Sequence, residues 1–587
     1  MDTMTAILDA INGVLWHQNV LFVLLAIGVM FTIWSGFSQF RALTHGTAVI
    51  RGKYDSKSHP GAINHFQALS TALSATVGLG NIGGVAVAVS LGGPGAVFWM
   101  WVVGLVGMAL KTTEVTMSML YRDTSDPDNP QGGPMWVAKR GFAKMGLGWL
   151  GSIVGGIFCV TLIISTITGG NMFQSWNVAQ ITSTYFPSIP REAVGIVLAL
   201  LVGMVIIGGI KRIGAVAGRL VPFMCGLYLL AAIFVLLKNI DQVPAMLGMI
   251  VKGAFNPIEA QGAFLGGTFG YAFLWGMKRA LFSNEAGQGS APIAHSAAKT
   301  NEPVREGIVS GLEPFIDTIV VCTLTALVIL SSGAWNREAA ASFETTPNMV
   351  RVDSHPACGG PCWIPDTTVL PRKTPEAERN SKAWRPNDQL FIIVHGQHDT
   401  NTGRDLHRVV GKVVEPRAGE LAIEWTQSYS GTDAPRVDGP QIHLNLPGAS
   451  LTGYAFDRVT PGMGMVIVTL ACWLFALSTM ISWSYYGEQG VVFLLGRAFV
   501  LPYKFVYCLL IILSTLPFIT TDKQLDDWTA LGTGVMLFAN IPIMLIFGAQ
   551  AMRAYHDYVR RLKSGELDRA AHAAPPITDV VEGKDVR

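Results

Sequence analysis

Charge is scarce in this chain. Of its 587 residues only 14% are Asp, Glu, Lys or Arg and 50% are hydrophobic, whereas soluble domains carry about 25% charged residues. The deficit excludes an ordinary soluble domain. Basic residues form no cluster of the kind that holds nucleic acid, and a net charge of +2 favours no strongly charged partner. A Walker lysine motif is lacking, so ATP drive is unsupported. Cysteine is sparse as well. Five of the seven (Cys159, Cys225, Cys322, Cys472 and Cys508) lie in apolar stretches and read as small core residues. Cys358 and Cys362, in the polar HPACGGPC, form a candidate disulfide if that region lies outside the cytoplasm. Basic residues are missing ahead of the first apolar run, which is too long for a signal-peptide core and reads as a retained helix.

What the chain has in abundance is long apolar sequence. Val20–Phe37, Val194–Ile210 and Met463–Met480 contain no charge at all, each close to the roughly 20 residues that cross a bilayer as a helix. Hydropathy predicts about eleven spans, near 19–40, 64–91, 94–122, 147–185, 192–210, 214–238, 260–282, 305–333, 461–487, 500–520 and 526–555. Lys and Arg concentrate in alternate loops, from Arg41 and Arg51 through Lys139 and Arg140, Lys211 and Arg212, and Lys278 and Arg279 to Arg560 and Arg561. This bias places the N-terminus outside and the C-terminus in the cytoplasm.

The fold class expected is an all-α polytopic membrane protein interrupted by a β-rich insert on the outer face. Residues 1–45 hold an extra N-terminal helix, 46–335 the core helices one to seven, and 447–565 core helices eight to ten. Residues 336–446 are polar, and LFIIVHGQ, RVVGKVVEP, ELAIEWTQ and QIHLNL within them read as strands between Gly, Asp and Pro turns. Residues 566–587 read as a disordered cytoplasmic tail.

Two stretches look wrong for plain membrane helices. Residues 76–84, TVGLGNIGG, put four glycines, Thr76 and Asn81 in the middle of the second span. The glycines form no single stripe of the kind that lets helices approach closely. They fit a helix unwound at mid-membrane, whose bare carbonyls hold a cation and whose half-helix N–H groups receive a carboxylate. Residues 266–276, GGTFGYAFLWG, are the expected second interruption, five core helices later, as an inverted repeat of two five-helix halves requires.

The blocks FQALSTALSATVGLGNIGGVAVAVSLGGPGAVFWMW, ITGGNMFQSWN, RALFSNEAGQGSAPIAHSAAKTNEPVREG, FIDTIVVCTLTALVIL and FALSTMISWSYYGE resemble the alanine or glycine:cation symporter family, the bacterial sodium:alanine symporters. That resemblance implies a leucine-transporter-type fold, sodium-coupled uptake of a small neutral amino acid, and residence in the bacterial inner membrane. It implies no enzyme activity and no organic cofactor. Carried over position by position, the carbonyls of Ser74, Val77 and Phe475 and the hydroxyls of Ser478 and Thr479 would hold sodium, a hard cation suited to oxygen ligands. The amino acid would meet Thr76, Gly78, Leu79, Gly80 and Asn81, with Asn171 and Gln174 adding amides and Phe273 and Trp275 walling the pocket. The insert departs from the family pattern, and the resemblance assigns it no role.

Asp317, in FIDT, is an acid at the centre of a span, costly there and therefore a coupling candidate for an ion or a proton. Lys111 and Glu114 read as a local pair, and Asn284 and Glu285 as organisers of an inner loop rather than substrate contacts. His395, His398, Asp399 and His407 read as solvated side chains of the insert rather than metal ligands. The leading expectation is a sodium-coupled importer of alanine, glycine or a similar amino acid. A proton-coupled carrier working through Asp317 and an amino-acid sensor reporting through the outer domain are the alternatives. The expected partners are the amino acid, sodium and the lipid bilayer, with no nucleic acid; the insert is a candidate gate over the outer vestibule or dock for a periplasmic partner.

Overall fold

The computed structural model describes residues 3–56, 59–353, 361–374, 383–417, 419–516 and 522–568. Cys358 and all of the expected tail beyond residue 568 lie outside them. Cys362 is engaged in a disulfide.

The chain opens with α1 (Thr3–Leu15) and α2 (Gln18–Trp34), separated at His17, whose ring caps α2 by accepting the Asn19 amide. Next comes a pair of helices, α3 (His65–Thr76) and α4 (Val85–Gly92), joined by a π-helical turn at Gly80–Gly84 and bent by 51°. Then follow α5 (Gly95–Tyr121), α6 (Pro134–Lys144), α7 (Gly148–Tyr185), α8 (Arg191–Ile206), α9 (Gly209–Lys238) and α10 (Val243–Gly253). The series continues with α11 (Phe269–Asn284), α12 (Ala291–His295) and α13 (Pro303–Ser331). After a β-sheet region come α14 (Ala449–Val459), α15 (Met463–Leu495), α16 (Val500–Ser514) and α17 (Asp522–Lys563).

Among the described residues eight helices are long and apolar enough to cross a membrane, or nine if the bent pair counts as one span. Two of the eleven expected spans fall short. Helices α8 and α11 have 16 residues each, about 24 Å at 1.5 Å per residue. Gly209, with φ +66°, stops the first, and the second begins only at Thr268, whose hydroxyl accepts the Tyr271 amide. Helix α7 is long because a π-helical turn at Thr168–Met172 carries it past α15 and α17. A Cβ on Gly170 would lie 2.4 Å from Trp483 Cγ, so only glycine admits that approach. Large apolar side chains such as Leu200, Leu230 and Phe505 point outward and are mostly exposed, as a lipid-facing surface requires.

Between α13 and α14 the chain forms strands β1 (Ala341–Ser342), β2 (Met349–Val352), β3 (Cys362–Pro365), β4 (Gln389–Asp399), β5 (Arg404–Arg417), β6 (Glu420–Trp425), β7 (Arg436–Val437) and β8 (Gln441–Leu444). The main sheet is antiparallel in the order β1-β8-β4-β5-β6, with β7 also paired to β4, and β2 pairs separately with β3. Side-chain alternation gives β4 two buried faces. Leu390, Ile392 and Val394 enter the sheet's own core with Val409 and Val413, whereas Phe391 and Ile393 pack with Ala263 just ahead of α11. The Arg408 guanidinium stacks 4.6 Å from the Phe391 ring centroid and donates to the Ala263 carbonyl at 2.7 Å. At the tip of the β4–β5 hairpin, the Asn401 carbonyl accepts from both the amide and the hydroxyl of Thr268, at 3.1 and 2.8 Å. The sheet is thus seated on Ala263 and on Thr268, the residue that caps α11.

Candidate functional site

The first break follows directly from local sequence. Asn64 and Gln67 cap the start of α3 reciprocally, each side chain accepting the other's amide. The helix ends at Thr76, where Val77 turns to ψ 86°. Asn81 then stands in for the missing helical partner, its Oδ1 accepting the Gly78 amide at 2.8 Å. The side-chain nitrogen of Asn81 donates to the Asp317 carboxylate. Asp317 is fully buried and receives Ser283 Oγ at 2.9 Å and Thr318 Oγ1 at 2.8 Å as well. Every one of these neighbours donates, the arrangement an ionised carboxylate accepts best.

A second break lies at 285–290, between α11 and α12, and not at 266–276, most of which is helix. Glu285, Gly287 and Gly289 all have positive φ, at 55°, 81° and 82°. The side chain of Asn540 in α17 holds this loop by donating to the Gly287 carbonyl at 2.8 Å, and the Gly289 amide donates to Glu114 at 3.2 Å. Asn284 donates to Thr318 at 3.1 Å. Gly78, Asn81, Asp317, Thr318 and Asn284 therefore form one hydrogen-bonded chain from break to break.

A small cavity opens between the breaks, with about 30 Å³ available to the centre of a water-sized sphere, room for about two waters. Thr76, Gly78, Gly80 and Gln174 line it, and so do Phe282, Glu285 and Gln288 from the second break and its approach. Thr479 and Trp483 of α15 and Thr529 and Thr533 of α17 complete the wall. Four polar atoms of its lining, Gln174 Oε1, Gln288 Oε1, Thr479 Oγ1 and Ser165 Oγ of α7, are buried without a hydrogen-bond partner. Two of them converge on the first break: a Cβ at Gly78 would lie 2.7 Å from Thr479 Oγ1 and 3.8 Å from Gln174 Oε1. Beside them, Ser74 Oγ donates to the Ser478 carbonyl at 2.7 Å. Ser478 Oγ lies 3.3 Å from the Ser74 carbonyl and 3.0 Å from that of Phe475. Ser478 thus bonds within its own helix and across to α3, while Thr479 bonds to neither. Val77 is buried at the same turn.

Several residues read from the sequence sit elsewhere. Leu79, Asn81 and Asn171 are not among the residues lining the cavity. Asn171 donates instead to the Tyr507 carbonyl of α16 at 2.8 Å. Phe273 stacks on Phe22 at 4.3 Å between ring centroids and meets Trp99 edge-on, and Trp275 packs against Tyr271 and Arg279. Both lie on the continuous part of α11, which turns Phe273 towards α2 and α5 and places Trp275 against Gly92 of α4; neither lines the cavity. Phe282, two turns further on, takes the position expected of them. Glu285 faces the cavity as well as organising its loop. Lys111 and Glu114 do pair, at 3.9 Å, but both are fully buried, and Lys111 lies nearer Glu313, at 3.2 Å. In the sheet, His395 bridges Asp405 and Asp438 at 2.7 and 2.8 Å, and His407 meets the Gln397 carbonyl at 2.6 Å. Its hydrogen bonds to the Asp405 and then the Asp438 carboxylate raise the His395 pKa, and the Asp405 carboxyl is lowered in return.

The profile of the sodium:alanine symporter family matches residues 1–353 and 438–572. The unmatched interval, 354–437, contains β3 to β7. The sodium/alanine symporter AgcS of Methanococcus maripaludis is 33% identical over 86% of this chain and 86% of its own length. A putative sodium/proton-dependent alanine carrier of Bacillus subtilis, YrbD, is 29% identical over 95% of this chain and 93% of its own. A probable sodium/glutamine symporter of the same organism, GlnT, is 36% identical over 57% of this chain and 67% of its own.

Proposed function

The chain belongs to the sodium:alanine symporter family, and from that membership and the geometry between the two breaks we infer a sodium-coupled importer of small neutral amino acids. That it is an amino-acid symporter and a multi-pass membrane protein follows from the family and the helices. The finer reading rests on one observation: Thr479 Oγ1 is buried without a partner against Gly78, beside the oxygens of Ser74, Phe475 and Ser478. An unsatisfied buried hydroxyl costs about 1–3 kcal/mol, and a sodium ion bound among those oxygens relieves it. Gln174 Oε1, equally bare, suits the ammonium of an amino acid whose carboxylate lies along the amides of the first break.

In this reading α3 with α4 is core helix one and α11 with α12 core helix six of a leucine-transporter-type inverted repeat, in the plasma membrane with the N-terminus outside. The sheet stands on the outer face, and its hairpin steadies the outer end of core helix six. The chain performs no covalent chemistry. Asp317 serves as the electrostatic joint between the breaks, since its oxygens are already filled by donors; it is a weaker candidate for carrying a proton.

The test is radiolabelled alanine uptake into proteoliposomes, with and without an inward sodium gradient, for the native protein and for Ser478→Ala with Thr479→Ala. Sodium-driven accumulation that the double variant abolishes is expected. Uptake indifferent to sodium but driven by a pH gradient would transfer the coupling to a proton. Alanine binding without uptake would favour a sensor.

A further inference from the structure

The cytoplasmic half of the bundle contains a row of buried ionisable groups that the sodium reading does not use. His295, the last residue of α12, is fully buried and has both ring nitrogens against carboxylates: Nδ1 is 2.6 Å from Glu306 Oε2 and Nε2 2.7 Å from Glu313 Oε1. The other Glu306 oxygen meets Nδ1 of His65, the first residue of α3. His65 Nε2 in turn lies 3.8 Å from Asp55, whose side chain is 44% exposed. At the far end Glu313 contacts Lys111. The row thus reaches solvent at Asp55 and runs inward through His65, Glu306, His295 and Glu313.

Proton counting decides what the centre of this row must hold. A neutral imidazole has one N–H and one lone pair. With both glutamates ionised, a neutral His295 would press its lone pair against a carboxylate at hydrogen-bond distance in a low-dielectric interior, where such repulsion is strongest. Both short contacts are satisfied only when a second proton resides on the triad, whether on the ring or on a carboxyl. The surroundings do not remove that need. Lys111, Glu114 and Arg122 approach from α5, but Lys111 is shared between Glu313 and Glu114, and Arg122 is spent on the carbonyls of Ser296, Ala298 and Thr300. Glu285 of the second break adds a further buried acid, bonded to Ser290. Tyr486 of α15 is buried nearby, and Glu302 of α13 is occupied by Arg561.

We propose that Glu306, His295 and Glu313 form a proton-binding site that latches the inner gate. The triad and His65 tie the inner ends of both broken helices, α3 and α12, to α13. Its proton exchanges with the cytoplasm through His65 and Asp55: His65 accepts at Nε2 and passes its Nδ1 proton to Glu306. Loss of the proton leaves lone pair against carboxylate and drives the three elements apart. Transport therefore speeds up as cytoplasmic pH rises, an effect that rests on the importer reading above, whereas the proton site itself does not.

Two measurements on the full chain test this. The melting temperature of the purified protein in detergent is followed between about pH 6 and pH 9, around the ordinary imidazole range. A site that binds its proton only when folded loses stability as pH rises, so the native melting temperature should fall across that range. His295→Gln should lose this slope. Glu313→Gln is the variant that keeps the fold: its amide can donate to His295 Nε2 while Nδ1–H donates to Glu306, so no second proton is needed and its profile should also flatten. Native and Glu313→Gln profiles that run parallel would overturn the proton site. In proteoliposomes with outside pH and sodium held constant, native alanine uptake should rise several-fold with internal pH, and Glu313→Gln, latched at every pH, should stay low and flat. Native uptake that ignores internal pH would overturn the latch. Absence of native uptake at every internal pH would instead overturn the importer reading, and the melting profiles would still decide the site.

Discussion

The two breaks that frame the cavity are made by different means. In the first, no residue from Thr76 to Gly84 has positive φ; the chain leaves the helix at Val77, and one side chain, Asn81, replaces the lost backbone partner. In the second, three successive alternate residues take left-handed conformations, and local partners, Asn284 accepting the Ala286 amide and Gln288 donating to the Leu281 carbonyl, are joined by partners from other helices, Asn540 of α17 and Glu114 of α5. The first break is therefore written locally and can be reshaped by its own side chains. The second is anchored from outside in addition, through α5 and α17. Asp317 connects them, so a change in one is transmitted to the other through hydrogen bonds and not through loose packing.

The sharpest way to break the comparison is Asn81→Ala. It strands the Gly78 amide and one side of Asp317 together, at about 1–3 kcal/mol for each orphaned group. We expect alanine uptake to fall by roughly ten- to a hundredfold, measured as initial rates against protein amount. Next comes a pair of glycine substitutions. Gly287→Ala forces a left-handed alanine, about 1–2 kcal/mol, with Ile541 Cδ1 3.1 Å from the new methyl; its melting temperature should drop. Gly84→Ala, in the first break, has ordinary φ and nothing nearer than Arg279 Cδ at 3.6 Å, and should melt like the native protein. A smaller contrast separates two phenylalanines. Phe282→Leu should change KM and the range of amino acids accepted, because the ring lines the cavity. Phe273→Leu should leave KM unchanged and cost under about 1.5 kcal/mol of stability as a near volume-conserving swap. The smallest effect lies away from both breaks. His395 has a raised pKa through its two aspartates, so its contribution is complete at acid pH and is lost as pH rises through the folded-state value. Its side chain is 26% exposed, and such surface pairs contribute less than about 1 kcal/mol. His395→Gln should remove a shallow slope from the melting profile and leave uptake alone.

The first break is legible in the sequence because its polar and glycine residues interrupt an apolar run that has no other reason to contain them. The second is misread for a physical reason. The glycines inside α11 look like helix breakers but solve a packing problem: a Cβ on Gly276 would sit 2.4 Å from the Ala96 carbonyl oxygen, and one on Gly270 would sit 3.0 Å from Gln18. Gly287 and Gly289 of SNEAGQGS need φ above zero, yet their polar surroundings make the segment read as an ordinary loop. Ser74 and Ser478, and Thr76 with Gln174, come together where sequence reasoning put them. Trp483, Thr529 and Thr533 could not be picked out, because which face of α15 or α17 meets the cavity depends on helix packing, and apolar periodicity is weak in a helix surrounded by both lipid and protein. The burial of Lys111 was equally hidden, since its nearest partner, Glu313, is two hundred residues away along the chain.

The hairpin tip resting on Thr268 has a mechanical consequence. Two hydrogen bonds and the Arg408 contact fix the sheet to Thr268, the cap of α11, and to Ala263 just ahead of it, so the sheet works as an outrigger: a tilt of that helix too small to notice at its own surface is magnified at the far edge strand, β6. Dyes placed along β6 and on a loop of the opposite bundle half would therefore record each transport cycle as a change in separation, with no label inside the membrane and none near the ion.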